Sequence, residues 1–551
     1  MHLGVLDLIY RRAGMYRTRA AVSSLRAGKW SELRFEDVQR GAQHLSNYLI
    51  DNGIEHGDRI AIVSESNAEF GIVFFAVVRA GAILVPLDPK QTVEELTPLI
   101  LDSGPKIIFA STKCQNLAAE VAKKCPLVSD VIITDSSSEN PASKTIQSVS
   151  THILQEGRER DLEETALIVY TSGSTGKPKG VMTTFNNLIF QAERLEELFD
   201  AGKKDVFLSI LPMNHLLELT AGYLGVLYSG GQVCYISSLF PEDILKAMRS
   251  KKVTYMIVVP TFMRLMKNSI ERMLAKSDRK QQLNIRLRFG LARLLPLHAR
   301  RKLFPRVHAL IGSQFRSFIS GGAPLSKDIA YFFDTLGIKV CQGYGLTETS
   351  PIISTNSHKQ FRLCSVGKPL PGIEVRLLGA KGIGDVGEIV TKGPHIMRGY
   401  YRREDLTNVA IDQAGWFYTG DLGSFDDDGF LFVTGRIKDL IVLPGGKKVY
   451  PEEVEQVLSA STLVKEICVL GVRQENNPEQ EEVVAVVVPV AIDEEESVLT
   501  KSLEDLMTKI AVYKRPSRIV ISPDNLPRTH SGKVKRNLVI EWLKKQEAAR
   551  R

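Results

Sequence analysis

Tyr170-Thr171-Ser172-Gly173-Ser174-Thr175-Gly176-Lys177-Pro178-Lys179-Gly180 follows an apolar run, 166–170, that reads as a strand. Hydroxyls, glycines and lysines placed behind a strand can wrap phosphate oxygens with backbone N–H groups and side-chain donors. The string is not a Walker A loop, whose pattern is G-x-x-x-x-G-K-[ST]. Here two residues separate Gly173 from Gly176, and Pro178 follows Lys177. A generic Gly/Ser/Lys loop is more often a plain surface turn. The length of this string argues against that reading.

Outward from it, apolar runs alternate with helix-like segments. Arg59–Val63, 81–87, 255–259 and 317–319 read as strands, and 70–80 as a buried helix. This alternation implies an α/β fold with largely parallel sheets. Glycine-rich stretches at 384–391 and 429–435 mark short strands, a β-rich subdomain. The serine-rich 136–143 stretch reads as a surface loop. After Arg436 the texture changes: Pro451–Leu458 reads as a helix with its proline in the first turn, 483–490 as a β-branched strand and 503–511 as a helix. At 551 residues the chain is too long for one core. The expected division is 1–435, an N-terminal domain of several subdomains, and 436–551, a small mobile α+β C-terminal domain.

The composition, 44% hydrophobic and 24% charged, is that of an ordinary globular protein. The first sixteen residues lack the apolar run of a secretory signal, and no stretch is apolar enough to span a bilayer. Six scattered cysteines without a C-x-x-C pair fit a reduced, cytoplasmic location and give no metal-ligand spacing. The net charge of +8 is uneven: residues 264–316 hold fourteen Lys or Arg against Glu271 and Asp278. Such a patch seeks phosphates, lipid head groups or nucleic acid. Sparse aromatics argue against nucleic acid. Two readings of the insert stand side by side: a solvated basic face over packed core, or a peripheral contact at the inner membrane surface. Residues 283–291 alternate like a strand.

Further motifs share the texture of the first. Leu211-Pro212-Met213-Asn214-His215 carries a lone histidine; Ser320-Gly321-Gly322-Ala323-Pro324 is a turn whose glycines permit close approach to a flat ring. Gln342-Gly343-Tyr344-Gly345-Leu346-Thr347-Glu348-Thr349 sets a carboxylate, suited to Mg2+ beside phosphate, among hydroxyls. Tyr418-Thr419-Gly420-Asp421 offers a carboxylate as bidentate acceptor for a vicinal diol. Gly435-Arg436-Ile437-Lys438-Asp439, Leu443-Pro444-Gly445-Gly446-Lys447-Lys448-Val449-Tyr450-Pro451 and Pro527-Arg528-Thr529-His530-Ser531-Gly532-Lys533-Val534-Lys535-Arg536 complete the set. Taken singly, a lone His, Glu, Lys or Asp–Arg pair is more often structural than functional.

Together, in this order from about Arg59 to Arg536, the motifs resemble those of the adenylate-forming superfamily: acyl-CoA synthetases, firefly luciferase and peptide-synthetase adenylation domains. The resemblance implies that Thr171, Ser172, Gly173, Ser174, Thr175, Gly176 and Lys177 embrace the phosphates of ATP. It places Gly322, Ala323, Pro324, Gly343, Tyr344 and Gly345 against adenine, and Thr347 on the α-phosphate. It puts Glu348, with Thr171, on Mg2+, Asp421 and Arg436 at the ribose, and Lys533 at the reacting phosphate. Lys438 matches the hinge, Gly445 and Gly446 the coenzyme A channel. His215 and Gly345 match the border of the acyl pocket, where small-acid enzymes carry a closing Trp. The 211–218 string and the basic insert look most like long-chain fatty acyl-CoA synthetases. The implied reaction joins a medium- to long-chain fatty acid to AMP and then to coenzyme A. Delivery to a separate carrier protein, an aryl acid as substrate, and a non-catalytic binding protein are the alternatives. Oligomeric state has no signal in the sequence.

Overall fold

Ile, Val and Leu dominate the two central strands Arg59–Val63 and Ile83–Leu87, and their side chains are largely buried on both faces, as parallel strands covered by helices require. The computed structural model describes residues 12, 14–26, 28–135, 144–149, 158, 160–171, 178–275, 279–444, 447–474, 477–491, 496–528 and 534–550. The expected loop at 136–143 lies outside them. The fold is α/β. The chain divides into two compact units, one made of 1–325, 329–374 and 392–417, the other of 326–328, 375–391 and 418–551.

The first unit holds two large sheets. A seven-stranded sheet runs Gly399–Tyr400, Lys179–Thr184, Thr165–Thr171, Ile83–Leu87, Arg59–Val63, Ile107–Ala110, Asp130–Ile133; its last five strands are parallel. Thr165–Thr171 and Lys179–Thr184 pair antiparallel, with Thr171 opposite Lys179. The nine-stranded sheet contains a parallel run in the order Lys339–Tyr344, Ser317–Ser320, Tyr255–Val258, Val206–Ser209, Gln232–Ile236, Ala20–Arg26. From Val206–Ser209 the chain continues to one side of the sheet, and from Tyr255–Val258 to the other. Between these neighbours lies a topological switch point, and the crevice beyond their carboxyl ends is where open α/β sheets bind ligands.

In the second unit, a four-stranded sheet of Glu374–Leu378, Gly387–Lys392, Phe417–Phe425 and Leu431–Arg436 is distinct from a three-stranded sheet of Val464–Gln474, Asn477–Pro489 and Arg518–Ile521. Helices Pro451–Leu458, Glu496–Met507 and Arg536–Arg550 accompany the latter.

Two expectations change. The helix expected at 503–511 begins earlier and ends at Met507, and Lys509 and Ile510 form turns beyond it. The strand-like 283–291 stretch lies in a helix, Arg279–Ala292. Its leucines alternate because the helix carries apolar residues on two opposite sides: Ile285, Phe289 and Ala292 against the protein, Leu283, Leu287 and Leu291 away from it.

Candidate active site

Three of the motifs follow the carboxyl ends of strands in the nine-stranded sheet, two of them adjacent. Leu211–His215 follows Val206–Ser209, Gly321–Pro324 follows Ser317–Ser320, and Tyr344 ends Lys339–Tyr344. Ser320 stands in register with Gln342, so the 321–324 turn and Tyr344 emerge side by side. Gly321 donates to the Val258 carbonyl at 3.2 Å. Gly322 has φ +80°, and Gly322, Ala323 and Pro324 are exposed, presenting bare backbone. Leu217 Cδ2 lies 3.2 Å from the point a Gly321 Cβ would occupy, giving the turn an apolar neighbour.

His215 is half-buried at the start of the turn that leads into a π-helical segment, Glu218–Leu224. Ser66 braces the motif: its hydroxyl donates to Leu211 O at 2.9 Å and accepts from Met213 N–H at 2.8 Å.

Beyond Tyr344 the chain makes a single 3-10 turn, Thr347–Thr349. The Thr349 hydroxyl accepts from Leu346 N–H at 2.9 Å and tightens that turn. Met397 N–H donates to Glu348 O at 2.9 Å, and the Tyr400 hydroxyl donates to Glu348 Oε1 at the same distance. Burial, with the Glu348 carboxylate beside it, raises the Tyr400 phenol well above its ordinary range, so it stays a donor. Lys179 Nζ sits 5.1 Å from the Tyr400 ring centroid. Because Lys179 pairs with Thr171, the foot of the phosphate-type loop, Tyr400 and Glu348 form one continuous arrangement. Residues Ser172, Gly173, Ser174, Thr175, Gly176 and Lys177 lie outside the described residues.

Helix Phe185–Phe199 pins this arrangement with two buried amides one helical turn apart. Asn187 Nδ2 donates to Pro394 O at 2.7 Å and Ile396 O at 2.9 Å; Gln191 Nε2 donates to Thr349 O at 3.2 Å and Ile352 O at 2.8 Å. Sequence reasoning missed both amides, and Tyr400. Their only local signal is a polar pair spaced four apart on an otherwise amphipathic helix.

Gly345 has a steric requirement that the sequence does not show. A Cβ there would lie 2.1 Å from the Pro351 carbonyl oxygen and 2.9 Å from Ile352 Cα. With 351–352 in place, no side chain fits, so a close backbone approach is by itself a reason for glycine here. Gly343 has ordinary space, its nearest neighbour at 3.4 Å.

Glu218 was also overlooked. It is 1% exposed, and burial pushes its carboxyl up to about 7, against the effect of the Ser209 hydroxyl beside it. Gly222 makes room for it: a Cβ there would stand 2.4 Å from Glu218 Oε1.

In the second unit, Asp421 and Arg436 stand opposite one another across an antiparallel pair and form an ion pair, Nε to Oδ1 3.0 Å, with the aspartate buried. Thr419 donates to Ile389 O at 2.7 Å and accepts from Asp421 N–H at 3.0 Å, fixing the carboxylate's backbone. Lys438 is exposed in the 3-10 turn Ile437–Asp439. Gly445, Gly446 and Lys533 lie outside the described residues. Of the last motif, Pro527, Arg528 and 534–536 are described; Arg536 bonds Glu455 at 2.6 Å and Glu452 at 3.2 Å, and burial opposes its charge while these carboxylates hold it ionised.

The donors suit Mg2+: one carboxylate on Glu348 and a hydroxyl on Thr171. Among the described residues no group of three or more His, Cys, Asp or Glu could hold a metal by itself. Mg2+ commonly takes one or two carboxylates and completes its shell with phosphate and water.

Residues 453–533 match the AMP-binding enzyme C-terminal domain. A long-chain-fatty-acid–CoA ligase of Mycobacterium bovis is 29% identical over 465 residues, 81% of this chain and 76% of its own length. A feruloyl-CoA synthase of Amycolatopsis sp is 30% identical over 512 residues, 91% and 92% respectively. The ATP-bound crystal structure of MatB from Rhodopseudomonas palustris has a TM-score of 0.81 at 27% identity, covering 99% of each chain. A family match through residues 9–401, spanning both large sheets and every turn of the first unit's site, makes this chain a member of the AMP-binding enzymes, the adenylate-forming family.

Proposed function

We propose that the protein activates a medium- to long-chain fatty acid as its acyl-adenylate, releases pyrophosphate, and transfers the acyl group to coenzyme A. The observation that carries this reading is the convergence of Tyr344, the Gly321–Pro324 turn and the Glu348–Tyr400–Lys179 arrangement within one unit.

A carboxylate is a poor acyl donor because its leaving group would be oxide. Attack on the α-phosphorus of ATP converts it to a mixed anhydride with AMP as leaving group. The carboxylate is already ionised at neutral pH, so the first step needs no general base. Two anions must meet, and charge neutralisation dominates the barrier. Tyr344 and the exposed 321–324 backbone offer a flat slot for adenine. Thr347 is placed to donate to the α-phosphate. Glu348, oriented by Tyr400, and Thr171 would hold Mg2+, which when bound supplies positive charge to the phosphate oxygens. In this reading the phosphate loop 171–177 and Lys533 bring further donors, and Asp421 with Arg436 receives the ribose. Lys438 is the pivot about which a mobile C-terminal domain, 436–551, exchanges Lys533 for the Gly445–Gly446 loop between adenylation and thioester formation, separating two half-reactions at one carbonyl.

The acid is the finer part of the proposal. The names of the relatives divide between a fatty acid and ferulate. The resemblance of the 211–218 string to that of long-chain acyl-CoA synthetases supports an aliphatic tail; Met213 and Leu216 themselves belong to the buried core. Each buried methylene contributes about 0.8 kcal/mol, so a long chain gains strongly while neighbouring lengths differ only a few-fold.

A panel of acids from two to twenty carbons, with aryl acids, assayed for AMP release with and without coenzyme A, tests every part. The expected result is AMP and pyrophosphate, thioester only with coenzyme A, and the highest kcat/KM among the longer aliphatic acids. ADP as product ends the adenylation reading. Preference for aryl acids ends the fatty-acid reading alone. AMP without thioester formation on free coenzyme A favours a carrier protein as acceptor.

A further inference from the structure

Among the described residues, helix Arg279–Ala292 packs against the protein through one side. Phe289 packs against Phe304 and Phe332, with ring centroids 5.0 and 6.1 Å away, and Ala292 is fully buried. Two residues round the helix, about 200° away at 100° per residue, stands a second apolar row. Leu283, Leu287, Leu291 and, just beyond the helix, Leu294 are 60, 64, 49 and 82% exposed. Steps of four, four and three keep them on one stripe. Arg286 and Arg293 run along one edge of the stripe. Arg288 marks the other, tied to Leu303 O at 3.1 Å. From Arg279 to Arg316 the chain has ten Lys or Arg and no Asp or Glu.

Single exposed leucines are ordinary; a continuous exposed row is not. Leucines rimmed by arginines are what a helix lying in the plane of an anionic membrane surface presents, its apolar side entering the acyl boundary and its cations at the head groups. A second copy of the chain fits poorly: apposed stripes would bring Arg286 and Arg293 of both copies together with no acidic residue of the segment to offset them. Among the described residues no helix is long and apolar enough to cross a membrane, so such a contact would be peripheral.

We propose that helix Arg279–Ala292 is a membrane-docking element, inserting Leu283, Leu287, Leu291 and Leu294 into an anionic bilayer surface while Arg286 and Arg293 pair with lipid phosphates. The surface stands whether or not the acid activated is a fatty acid, and its test does not use catalysis.

Flotation of the full chain with vesicles of phosphatidylcholine, with and without phosphatidylglycerol, reads it directly. The wild type floats with the anionic vesicles and far less with the neutral ones. Replacing the four leucines with serine lowers the bound fraction on the order of tenfold or more at low salt. R286Q with R293Q lowers binding about 25-fold, about fivefold for each basic residue, and the difference shrinks in high salt. Circular dichroism and melting of the leucine variant match the wild type, because the side chains lie outside the core. Leu294→Ser alone repeats the loss at smaller amplitude with the least risk to folding. Equal flotation of the leucine variants, or no flotation of the wild type, overturns the proposal. So does a lipid-free dimer that the leucine variant converts to monomers, which would make the stripe a protein interface.

Discussion

Gly345→Ala separates two meanings of one glycine. A methyl group at this position would approach the Pro351 carbonyl oxygen to 2.1 Å, and Pro351 C and Ile352 Cα to 2.9 Å each. These are backbone atoms, with no flexible end to swing aside, so relief requires 351–352 to retreat by roughly 1 Å or more towards an ordinary contact distance. That segment is tied back to the site: Ile353 N–H donates to Tyr344 O at 2.8 Å, and Gln191 holds Ile352 O. Overpacking of this kind costs about 1–3 kcal/mol. A shift near 1 Å beside reacting groups can cost on the order of 10²-fold in rate. The expected variant therefore melts earlier and loses about 10²-fold in acid-dependent pyrophosphate–ATP exchange, while its ranking of acids by chain length stays that of the wild type. The assays are thermal melting, and exchange measured across the acid panel. A variant as stable as the wild type with its preference moved towards different chain lengths would refute the reasoning and restore Gly345 as a pocket wall.

Lys533→Ala should lose ~10²-fold or more in adenylation, the scale of a removed transition-state donor, yet spare thioester formation from supplied acyl-adenylate; equal losses in both half-reactions would remove Lys533 from its assigned role. Tyr400→Phe keeps the ring beside Lys179 but deletes the donor to Glu348. A lost hydrogen bond to a charged group is worth about 1.5–3 kcal/mol, so the Mg2+ concentration for half-maximal exchange should rise at least tenfold, and an unchanged Mg2+ dependence would separate Tyr400 from the site. Glu218, raised to about 7 by burial, stays protonated in the folded chain at pH values where the unfolded chain has released its proton. Stability is therefore lost as pH rises from the ordinary carboxylate range through about 7. Glu218→Gln removes that loss, so its advantage in denaturation midpoint should grow by about 2–3 kcal/mol between pH 5 and pH 8; a constant difference would contradict the burial-driven shift.

Local backbone structure at the motifs is legible in the sequence. The turn at 321–324 and the end of Lys339–Tyr344 are legible because apolar strand, glycine and hydroxyl follow one another in sequence. That these turns meet beyond a switch point is not legible, since strand order depends on pairings between residues about 20 to 60 apart. Asn187, Gln191 and Tyr400 escaped for the same reason: each gains its meaning from a backbone or carboxylate far along the chain. The helix Arg279–Ala292 escaped for another. Its inward Ile285 and Phe289 interleave with outward Leu283, Leu287 and Leu291, which imitates the two-residue period of a strand. The backbone approach at Gly345 was not legible, because a missing side chain looks the same in sequence whether it makes room for a ligand or for the backbone itself.

The paired amides on Phe185–Phe199 carry a consequence for recombining this protein with its relatives. One rigid rod bears the anchors for two segments that come some 150 to 210 residues later, 349–352 and 394–396. A crossover placed anywhere between the helix and those segments inherits anchors from one parent and their carbonyl acceptors from the other. Hybrids that keep 185–401 from a single source should stay functional far more often than those divided within it, however neutral the junction looks on its own surface.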